Sequence, residues 1–237
     1  MLELANRGYK VNHKKIKRIM CLLNIHGITP RGKYNSYKGD QNGTCKNLLL
    51  KKVLDEEKHR TTYKRDFSTT ACNQIWTTDV SEFHIAAGKI YLSPILDMYN
   101  REIVVFNISR NPNFNQTTDM LRKAFAKYDN LKGLILHSDQ GWQYQMKFYH
   151  NELEKRGIKQ SMSRKGNCLD NSPMENFFGV MKNEMFYGHE YEFKSLEELQ
   201  EAMIKYIEYY NKERIMEKTK GLSPLAYRQQ SFVQLGY

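Results

Sequence analysis

From residue 73 onward the apolar residues change period in a fixed order, and this order restricts the chain to a small set of folds. Alternating apolar residues predict a strand at 75–85, and two further strands are predicted at 89–97 and 102–108, all joined by turns. Helical spacing then alternates with short apolar runs, which predicts helices at 115–128, 145–156, 173–187 and 196–211 and strands at 134–136 and 158–163. This order predicts an α/β fold in which helices flank a mixed sheet.

The length and composition allow a single large hydrophobic core. The chain has 237 residues, 40% of them hydrophobic, which is enough for one core or for a core with a small appendage. No apolar run approaches the roughly 18 residues of a membrane helix, and the first residues lack the layout of a signal peptide. The cysteines Cys21, Cys45, Cys72 and Cys168 are scattered singly, which disfavours a disulfide framework and a structural zinc site. We therefore expect a soluble, cytoplasmic protein.

The positive charge is concentrated at the N-terminus. Residues 1–73 contain 16 Lys and Arg against 6 Asp and Glu, and so carry +10 of the formal net charge of +11. A basic segment joined to a nearly neutral body is typical of an electrostatic arm that binds a polyanion, most often nucleic acid. Charge alone also fits a solvated basic surface without a partner. Acidic lipid is a weaker alternative, because Asp55, Glu56 and Glu57 interrupt the segment.

One helix is predicted within this basic segment. Asn12 is suited to cap it, Gly27 to end it, and apolar residues recur at helical spacing at Ile16, Ile19, Met20 and Leu23. Basic residues occupy the other side: Lys14, Lys15, Lys17 and Arg18. The pattern fits a DNA-contacting helix of a small helix-turn-helix unit, and it also fits an ordinary packed surface helix.

The composition divides the chain into three parts. Residues 29–43 have no period and indicate a linker, a short helix is predicted at 46–60, and a second polar linker follows. We therefore expect a partial helix-turn-helix-like basic segment at 1–45, a linker with a short helix at 46–72, and an α/β body with C-terminal helices at 73–237.

Three acidic residues occupy positions that disfavour acids. Asp79 interrupts the first predicted strand, Asp139 follows the apolar strand at 134–136, and Glu175 lies in the first turn of a helix. A carboxylate beside apolar neighbours is unfavourable unless a cation or hydrogen bonds compensate it. If the two strands are adjacent, their acids converge, and an all-carboxylate cluster selects Mg²⁺ or Mn²⁺ over zinc. Such a cluster can bind two ions for phosphoryl transfer.

Each acid also has a purely structural explanation. Asp139 can cap the turn after its strand, and Asp79 can face solvent at a sheet edge. Glu175 fits a capping box with Ser172 at the helix cap. The residues taken singly leave both explanations open.

Three segments resemble the signatures of the integrase-core transposases of bacterial insertion sequences. They are Trp76-Thr77-Thr78-Asp79, His137-Ser138-Asp139-Gln140-Gly141 and Asp170-Asn171-Ser172-Pro173-Met174-Glu175-Asn176-Phe177-Phe178. The resemblance is strongest to the second-reading-frame products of the IS-three family, IS-one-fifty subgroup. Asp139 and Glu175 are separated by 35 residues, the spacing of the DDE class shared with retroviral integrases. Tyr210-Asn211, Arg214 and Leu222-Ser223-Pro224 resemble the family's C-terminal signature, although Met216 stands where many relatives have histidine.

The resemblance implies an RNase H-like integrase catalytic core and a DDE-type polynucleotidyl transferase. Asp79, Asp139 and Glu175 would be its catalytic residues and its ligands for two Mg²⁺ or Mn²⁺ ions. The implied activity is cleavage of DNA at insertion-sequence ends and transfer of the freed 3′-hydroxyl to another phosphodiester. The implied partners are double-stranded DNA, further copies of the chain and an upstream-frame protein that supplies end recognition, in a bacterial nucleoid.

Basic residues near the three acids are candidates for DNA contact. Lys182 follows Glu175 by seven residues, lies on the same helix edge as Gly179, and matches a basic residue that the family places there. Arg164 and Lys165 lie in the loop before this helix. Two other functions stay open: a plain metal-dependent nuclease, and a domesticated or truncated DNA-binding protein that does not cut.

Overall fold

The computed structural model describes residues 1–27, 44–55, 60–112 and 114–234. In chain order its elements are α1 (Leu2–Asn6), α2 (His13–Leu22), β1 (Leu50–Asp55), β2 (Arg60–Arg65), β3 (Ile75–Thr78), β4 (Ser81–Ile85), β5 (Gly88–Asp97), β6 (Ile103–Ser109), α3 (Phe114–Lys127), β7 (Ile135–Ser138), α4 (Lys147–Glu154), β8 (Lys159–Met162), α5 (Ser172–Met185), α6 (Leu196–Lys212) and α7 (Pro224–Gln234). Short 3₁₀ turns lie at Trp142–Tyr144, Cys168–Asn171 and Glu190–Glu192. No helix in these ranges is long and apolar enough to cross a membrane.

A six-stranded mixed sheet forms the centre of the body, as predicted. β5 pairs antiparallel with β6 on one side and with β3 and β4 on the other. β3 then pairs parallel with β7, and β7 pairs parallel with β8. The central position of β3 and β7 brings the ends of both strands into the interior of the sheet rather than to its edge.

The single strand predicted at 75–85 is two strands, because the chain leaves the sheet at Asp79. The Asp79 Oδ1 accepts a hydrogen bond of 2.7 Å from the backbone N–H of Val80, so this N–H is engaged locally. β3 pairs with residues 95–97 of β5, and β4 pairs with residues 88–92 of the same strand. The acid therefore marks a break in the sheet.

Helices cover both faces of the sheet. On one face α5 and α6 contribute Met174, Phe177, Met181, Leu199 and Met203 to a buried cluster with β4 and β5. On the other face α3 and α4 contribute Met120, Leu121, Ala124, Tyr149 and Leu153 to a cluster with β3, β6 and β7. The helical periodicity seen in the sequence is therefore the periodicity of these two packed faces.

The segment before the body differs from the prediction. The short helix predicted at 46–60 is wrong, because residues 50–55 and 60–65 form the antiparallel hairpin of β1 and β2. The hairpin is also more than a linker: Leu49 belongs to the core and is 4% exposed. The linker predicted at 29–43 lies outside the described residues.

The N-terminal helix α2 is capped as predicted but ends earlier. The Asn12 side chain accepts a hydrogen bond of 2.9 Å from the backbone N–H of Lys14. The helix ends at Leu22 rather than at Gly27, since Asn24 adopts a left-handed backbone with φ of 53°. α7, which no pattern predicted, follows Ser223 and closes the described chain.

Candidate active site

The strand register brings Asp79 and Asp139 together. β3 and β7 are parallel neighbours that pair Trp76 with Leu136 and Thr77 with His137. Asp79 and Asp139 directly follow the last residues of these two strands, Thr78 and Ser138, and the charge of Asp139 acts on Asp79. The adjacency that the sequence left conditional is thus formed, and Asp79 is buried rather than facing solvent at an edge.

Glu175 reaches the same region because Asn171 ties α5 to β3. The Asn171 Oδ1 accepts a hydrogen bond from the Thr77 hydroxyl, and its Nδ2 donates to the Thr78 carbonyl oxygen at 3.3 Å. Thr77 and Thr78 directly precede Asp79, while Asn171 directly precedes α5. One buried amide therefore fixes the start of the helix against the end of the strand.

The capping box predicted for Glu175 is not formed. Asn171, rather than Ser172, occupies the cap position of α5, and this position makes no side-chain capping hydrogen bond. Ser172 is already the first helical residue, so Glu175 lies one residue later in the helix than a capping box requires. The side chain of Glu175 is half-buried, and the structural explanation offered for this acid does not apply.

The negative charges of Asp139 and Glu175 act on Asp79. Burial raises the pKa of Asp79 well above its ordinary value, and the negative charges of Asp139 and Glu175 raise it further. Burial also raises the pKa of Asp139, although the hydrogen bond that the Gly141 N–H donates to its Oδ1 at 2.9 Å acts in the opposite direction. Burial likewise raises the pKa of Glu175. The protein thus concentrates carboxylates where their ionised forms are disfavoured in the absence of a cation.

The chemistry of these donors fits a divalent cation with a preference for oxygen ligands. All three side chains offer carboxylate oxygens, and the ionisation they resist would be relieved by positive charge. Within the described ranges, however, no group of three or more His, Cys, Asp or Glu side chains is arranged as a metal site. The acids share one electrostatic environment without forming a closed coordination shell.

Lys182 and Gly179 lie on the outer side of α5 beyond Glu175. The Lys182 Nζ donates to the backbone carbonyl of Glu82 at 2.9 Å and lies 4.8 Å from the centre of the Phe83 ring. Burial lowers the pKa of Lys182, while its positive charge favours ionisation of Asp79. A Cβ added at Gly179 would meet no atom within 4 Å, so packing inside the chain does not require glycine there.

Arg164 is held by an acid that the sequence analysis did not single out. The buried carboxylate of Asp170 accepts hydrogen bonds from the Arg164 Nε at 2.9 Å and Nη2 at 3.0 Å. It also accepts from the Arg65 Nε at 2.6 Å and the Asn47 Nδ2 at 3.0 Å. These hydrogen bonds outweigh burial and hold the pKa of Asp170 well below its ordinary value. We call Asp170 with Asn47, Arg65 and Arg164 the Asp170 cluster; it joins the β1–β2 hairpin to the start of α5.

The remaining candidates lie on the surface or in the core. Lys165 is exposed, and Lys14, Lys15, Lys17 and Arg18 are exposed on α2, which buries none of its residues. His137, two residues before the second acid in its motif, is buried between the hydroxyls of Ser161 and Ser163 at 2.8 and 3.2 Å. Burial lowers its pKa to about 4, so His137 is neutral at pH 7 and links β7 to β8.

Solved structures show the class of this fold. The integrase catalytic core domain of HTLV-2 in complex with magnesium is similar with a TM-score of 0.52 and 18% identity, over 68% of this chain and 99% of that one. The simian T-cell lymphotropic virus intasome contains a chain similar with a TM-score of 0.54 and 14% identity, over 74% of this chain and 60% of that one. The fold is therefore the RNase H-like fold of retroviral integrase cores.

Sequence relatives show the family. A family model described as "Integrase core domain" matches residues 69–168, and a second with the same description matches residues 175–232. A transposase-like protein of Haemophilus influenzae is 50% identical over 94% of this chain and 95% of its own length. InsK of Escherichia coli K12, named as a transposase for insertion sequence element IS150, is 43% identical over 98% of this chain and 76% of its own length. The chain belongs to the integrase-core transposases of bacterial insertion sequences, a family of polynucleotidyl transferase-type enzymes that act on DNA.

Proposed function

We propose that this transposase cleaves DNA at the ends of an insertion sequence and joins the freed 3′-hydroxyl to a target phosphodiester, with Asp79, Asp139 and Glu175 as catalytic metal ligands. The observation that carries the proposal is the parallel pairing of β3 and β7, because Asp79 and Asp139 directly follow these neighbouring strands. The position of the third acid, one turn into a helix tied to β3 by Asn171, supports the same site. The donor set favours Mg²⁺ or Mn²⁺.

Only two steps of the chemistry are assigned to the metal. Two bound divalent ions would activate the attacking oxygen and stabilise the leaving oxygen of an in-line displacement at phosphorus. The protein's own residues do the rest. Asp79 and Asp139 would hold the ions from rigid strand ends, and Glu175 would complete the ligand set from α5. Without the ions, the three carboxylates would repel the phosphate.

The residues around the acids would position the substrate. Lys182 would contact the DNA backbone, helped by Gly179, where the open surface of α5 lets a strand approach the helix closely. Lys165 would be a weaker contact. Arg164 would contribute to the shape of the loop through Asp170 more than to direct binding, because Asp170 engages its guanidinium.

The basic N-terminal segment would supply affinity for double-stranded DNA. Lys14, Lys15, Lys17 and Arg18 are exposed together on α2 and would neutralise phosphates. We further propose that the chain works as a homo-oligomer on DNA in the bacterial nucleoid, with an upstream-frame protein as a recognition partner. The HTLV-2 integrase core has been solved in dimeric and trimeric forms.

Two alternatives use the same observations. A plain nuclease would need the same three acids but would produce no joined strands. A non-catalytic DNA-binding protein would need none of them, and the presence of all three in one electrostatic cluster argues against it. An assay that supplies duplex DNA with a 3′-hydroxyl end and measures strand joining separates these alternatives.

The test replaces each acid by its amide. Asp79→Asn, Asp139→Asn and Glu175→Gln should each lower strand transfer by at least about a hundredfold, because amides are poor ligands for these ions. Mn²⁺ should raise the unfolding temperature of the wild type and raise that of each variant less.

Asp119→Asn is the matched control, because Asp119 is a partly exposed acid that pairs only with Arg122 among the described ion pairs. It should retain strand transfer and the response to Mn²⁺. Strand transfer within tenfold of wild type in a folded Asp79→Asn or Glu175→Gln protein would contradict the assignment.

A further inference from the structure

A cleft lies along α5, on the helix edge that carries Ser172 and Asn176. Its volume is about 630 Å³, within the range of pockets that bind small molecules. The walls come from α5, the turn between β5 and β6, the end of α6 and the segment that follows it. The polar residues that matter are Arg101, Ser172, Asn176, Tyr210, Arg214 and Lys218.

Two cations in this cleft lack an anionic partner in the part of the chain that the structure describes. Arg101 forms no ion pair there, and its Nη1 donates only weakly to the Met98 sulfur at 4.0 Å. Lys218 also forms none. Burial lowers the pKa of Arg101, and partial burial together with the charge of Arg101 lowers the pKa of Lys218. The two positive charges are therefore close enough to repel each other.

The acids nearby offset these charges only in part. Arg214 is engaged by Glu184, which accepts from its Nε at 3.0 Å and from its Nη2 at 2.7 Å. Asp97, whose negative charge acts on Arg101, accepts hydrogen bonds from Asn73, Trp76 and Tyr99 and does not line the cleft. Glu217 is exposed in the wall of the cleft and forms no ion pair with either cation among the described residues. Among the lining residues, three cations, Arg101, Arg214 and Lys218, face one acid, Glu217.

The backbone at Arg101 is an unusual place for an arginine. Its φ is +66°, a left-handed conformation that favours Gly or Asn and is uncommon for long side chains. The turn itself is closed by the Arg101 N–H, which donates to the Asp97 carbonyl at 2.9 Å, so it needs no guanidinium. Arg101 therefore places a cation in the cleft although its backbone conformation is strained for an arginine.

The cleft and the three acids occupy neighbouring edges of one helix. Ser172 and Asn176 are four residues apart and line the cleft, whereas Glu175 and Gly179 follow the adjacent edge. An α-helix with its side chains is about 10–12 Å across, so a DNA strand held at the acids passes within reach of the cleft. A polyanion on this path would meet two cations that form no ion pair in the described part of the chain.

We infer that the Arg101–Lys218 cleft binds a backbone phosphate of the DNA strand that occupies the active site. Arg101 and Lys218 supply the positive charge, and the exposed amide of Asn176 supplies a further donor. The inference rests on the proposed function, because that function places DNA on α5. It adds a second anchor point that fixes the direction of the strand relative to the acids.

The test combines charge removal in the protein with charge removal in the DNA. Arg101→Asn keeps a residue that tolerates the left-handed backbone, and Lys218→Gln alters an exposed side chain. The double variant should lower the slope of log affinity against log salt by about 0.9, since both cations are assigned to one phosphate contact. A single uncharged methylphosphonate, moved along the duplex, should weaken wild-type binding at one position and have no effect there on the double variant.

Lys220→Asn is the matched control, because Lys220 has the same sign of φ and lies two residues from Lys218 without lining the cleft. It should leave both measurements unchanged. A double variant with the wild-type slope and methylphosphonate profile would overturn the inference. Both measurements use DNA binding alone, so loss of strand transfer in the acid variants tests the proposed function independently.

Discussion

Replacing Asp170 by Asn should destabilise the protein substantially, although this residue is not one of the three acids. Its side chain is fully buried and accepts five hydrogen bonds from Asn47, Arg65 and Arg164. An amide can accept on one side only, so at least two of these hydrogen bonds are lost together with the negative charge. Charge-assisted hydrogen bonds contribute about 1.5–3 kcal/mol each.

The partners reduce this loss because they are not themselves buried. The side chains of Arg65 and Arg164 are 30% and 38% exposed, so water replaces part of what the carboxylate provided. We therefore expect a loss of about 3 kcal/mol in the free energy of unfolding, at the low end for a broken buried ion pair. For a chain of this size that corresponds to a fall of about 6–12 °C in the unfolding temperature.

The pH dependence gives this prediction its sign. The pKa of Asp170 is lowered in the folded state, so its ionised form stabilises the fold at pH values above the ordinary pKa of about 3.9. The advantage of wild type over Asp170→Asn should be complete near pH 7 and shrink progressively below about pH 4. Other acids titrate in both proteins, and their contributions cancel in the difference.

Urea unfolding followed by the fluorescence of the buried Trp76 measures this difference. Asp119→Asn makes the same chemical change at a partly exposed pair and should alter stability by less than about 0.5 kcal/mol. Equal urea midpoints for wild type and Asp170→Asn at pH 7 would refute the reasoning. A difference between them that grew below pH 4 would refute the sign.

Two further predictions concern DNA binding. Gly179→Ala should stabilise α5 by about 0.5–1 kcal/mol, since the added Cβ meets open space. The same substitution should weaken DNA binding and strand transfer. Unchanged activity in a more stable variant would show that no DNA strand approaches this helix closely. Replacing Lys14, Lys15, Lys17 and Arg18 together by Gln should lower the salt slope of non-specific DNA binding by up to about 3.6. The control replaces Lys132 and Lys159 by Gln, at the end of β7 and β8 that is far from Asp139, and should leave the slope unchanged. Equal slopes for wild type and the α2 variant in a filter-binding titration would show that α2 has no DNA-binding role. Substitution is preferable to deletion of residues 1–72, because deletion would also remove Leu49 from the core and Arg65 from Asp170.

The sequence predicted the body well because its signals are local. The apolar residues of 89–97 and the helical spacing at 196–211 reflect the surfaces that β5 and α6 bury, and β5 is buried on both faces from Leu92 onward. Each signal lies within its own element. The acids were informative for a related reason: Asp79 and Asp139 each interrupt or end an apolar strand, and two such interruptions fit one shared site. Which strands are neighbours is a long-range property, so it could only be stated as a condition.

The errors arose where distant contacts decide the structure. Residues 46–60 carry Leu and Lys in a pattern compatible with a helix, but the Leu48 N–H donates to the Ser161 hydroxyl and Asn47 donates to Asp170, both more than 100 residues away. Asn171 was visible only as part of a motif, and its bonds to Thr77 and Thr78 also span more than 90 residues. Polar residues directly before a motif helix were the available signal for both Asp170 and Asn171.

The Asp170 cluster has a mechanical consequence. The β1–β2 hairpin is not hinged freely to the body, because Arg65 and Asn47 donate hydrogen bonds to Asp170, five residues before Glu175. A force applied to the hairpin from its N-terminal side would be transmitted to the start of α5 rather than absorbed by a flexible linker. A partner or a DNA segment that pulls on that side would therefore displace the helix that carries Glu175. Asp170→Asn would interrupt this mechanical coupling while leaving Asp79, Asp139 and Glu175 in place.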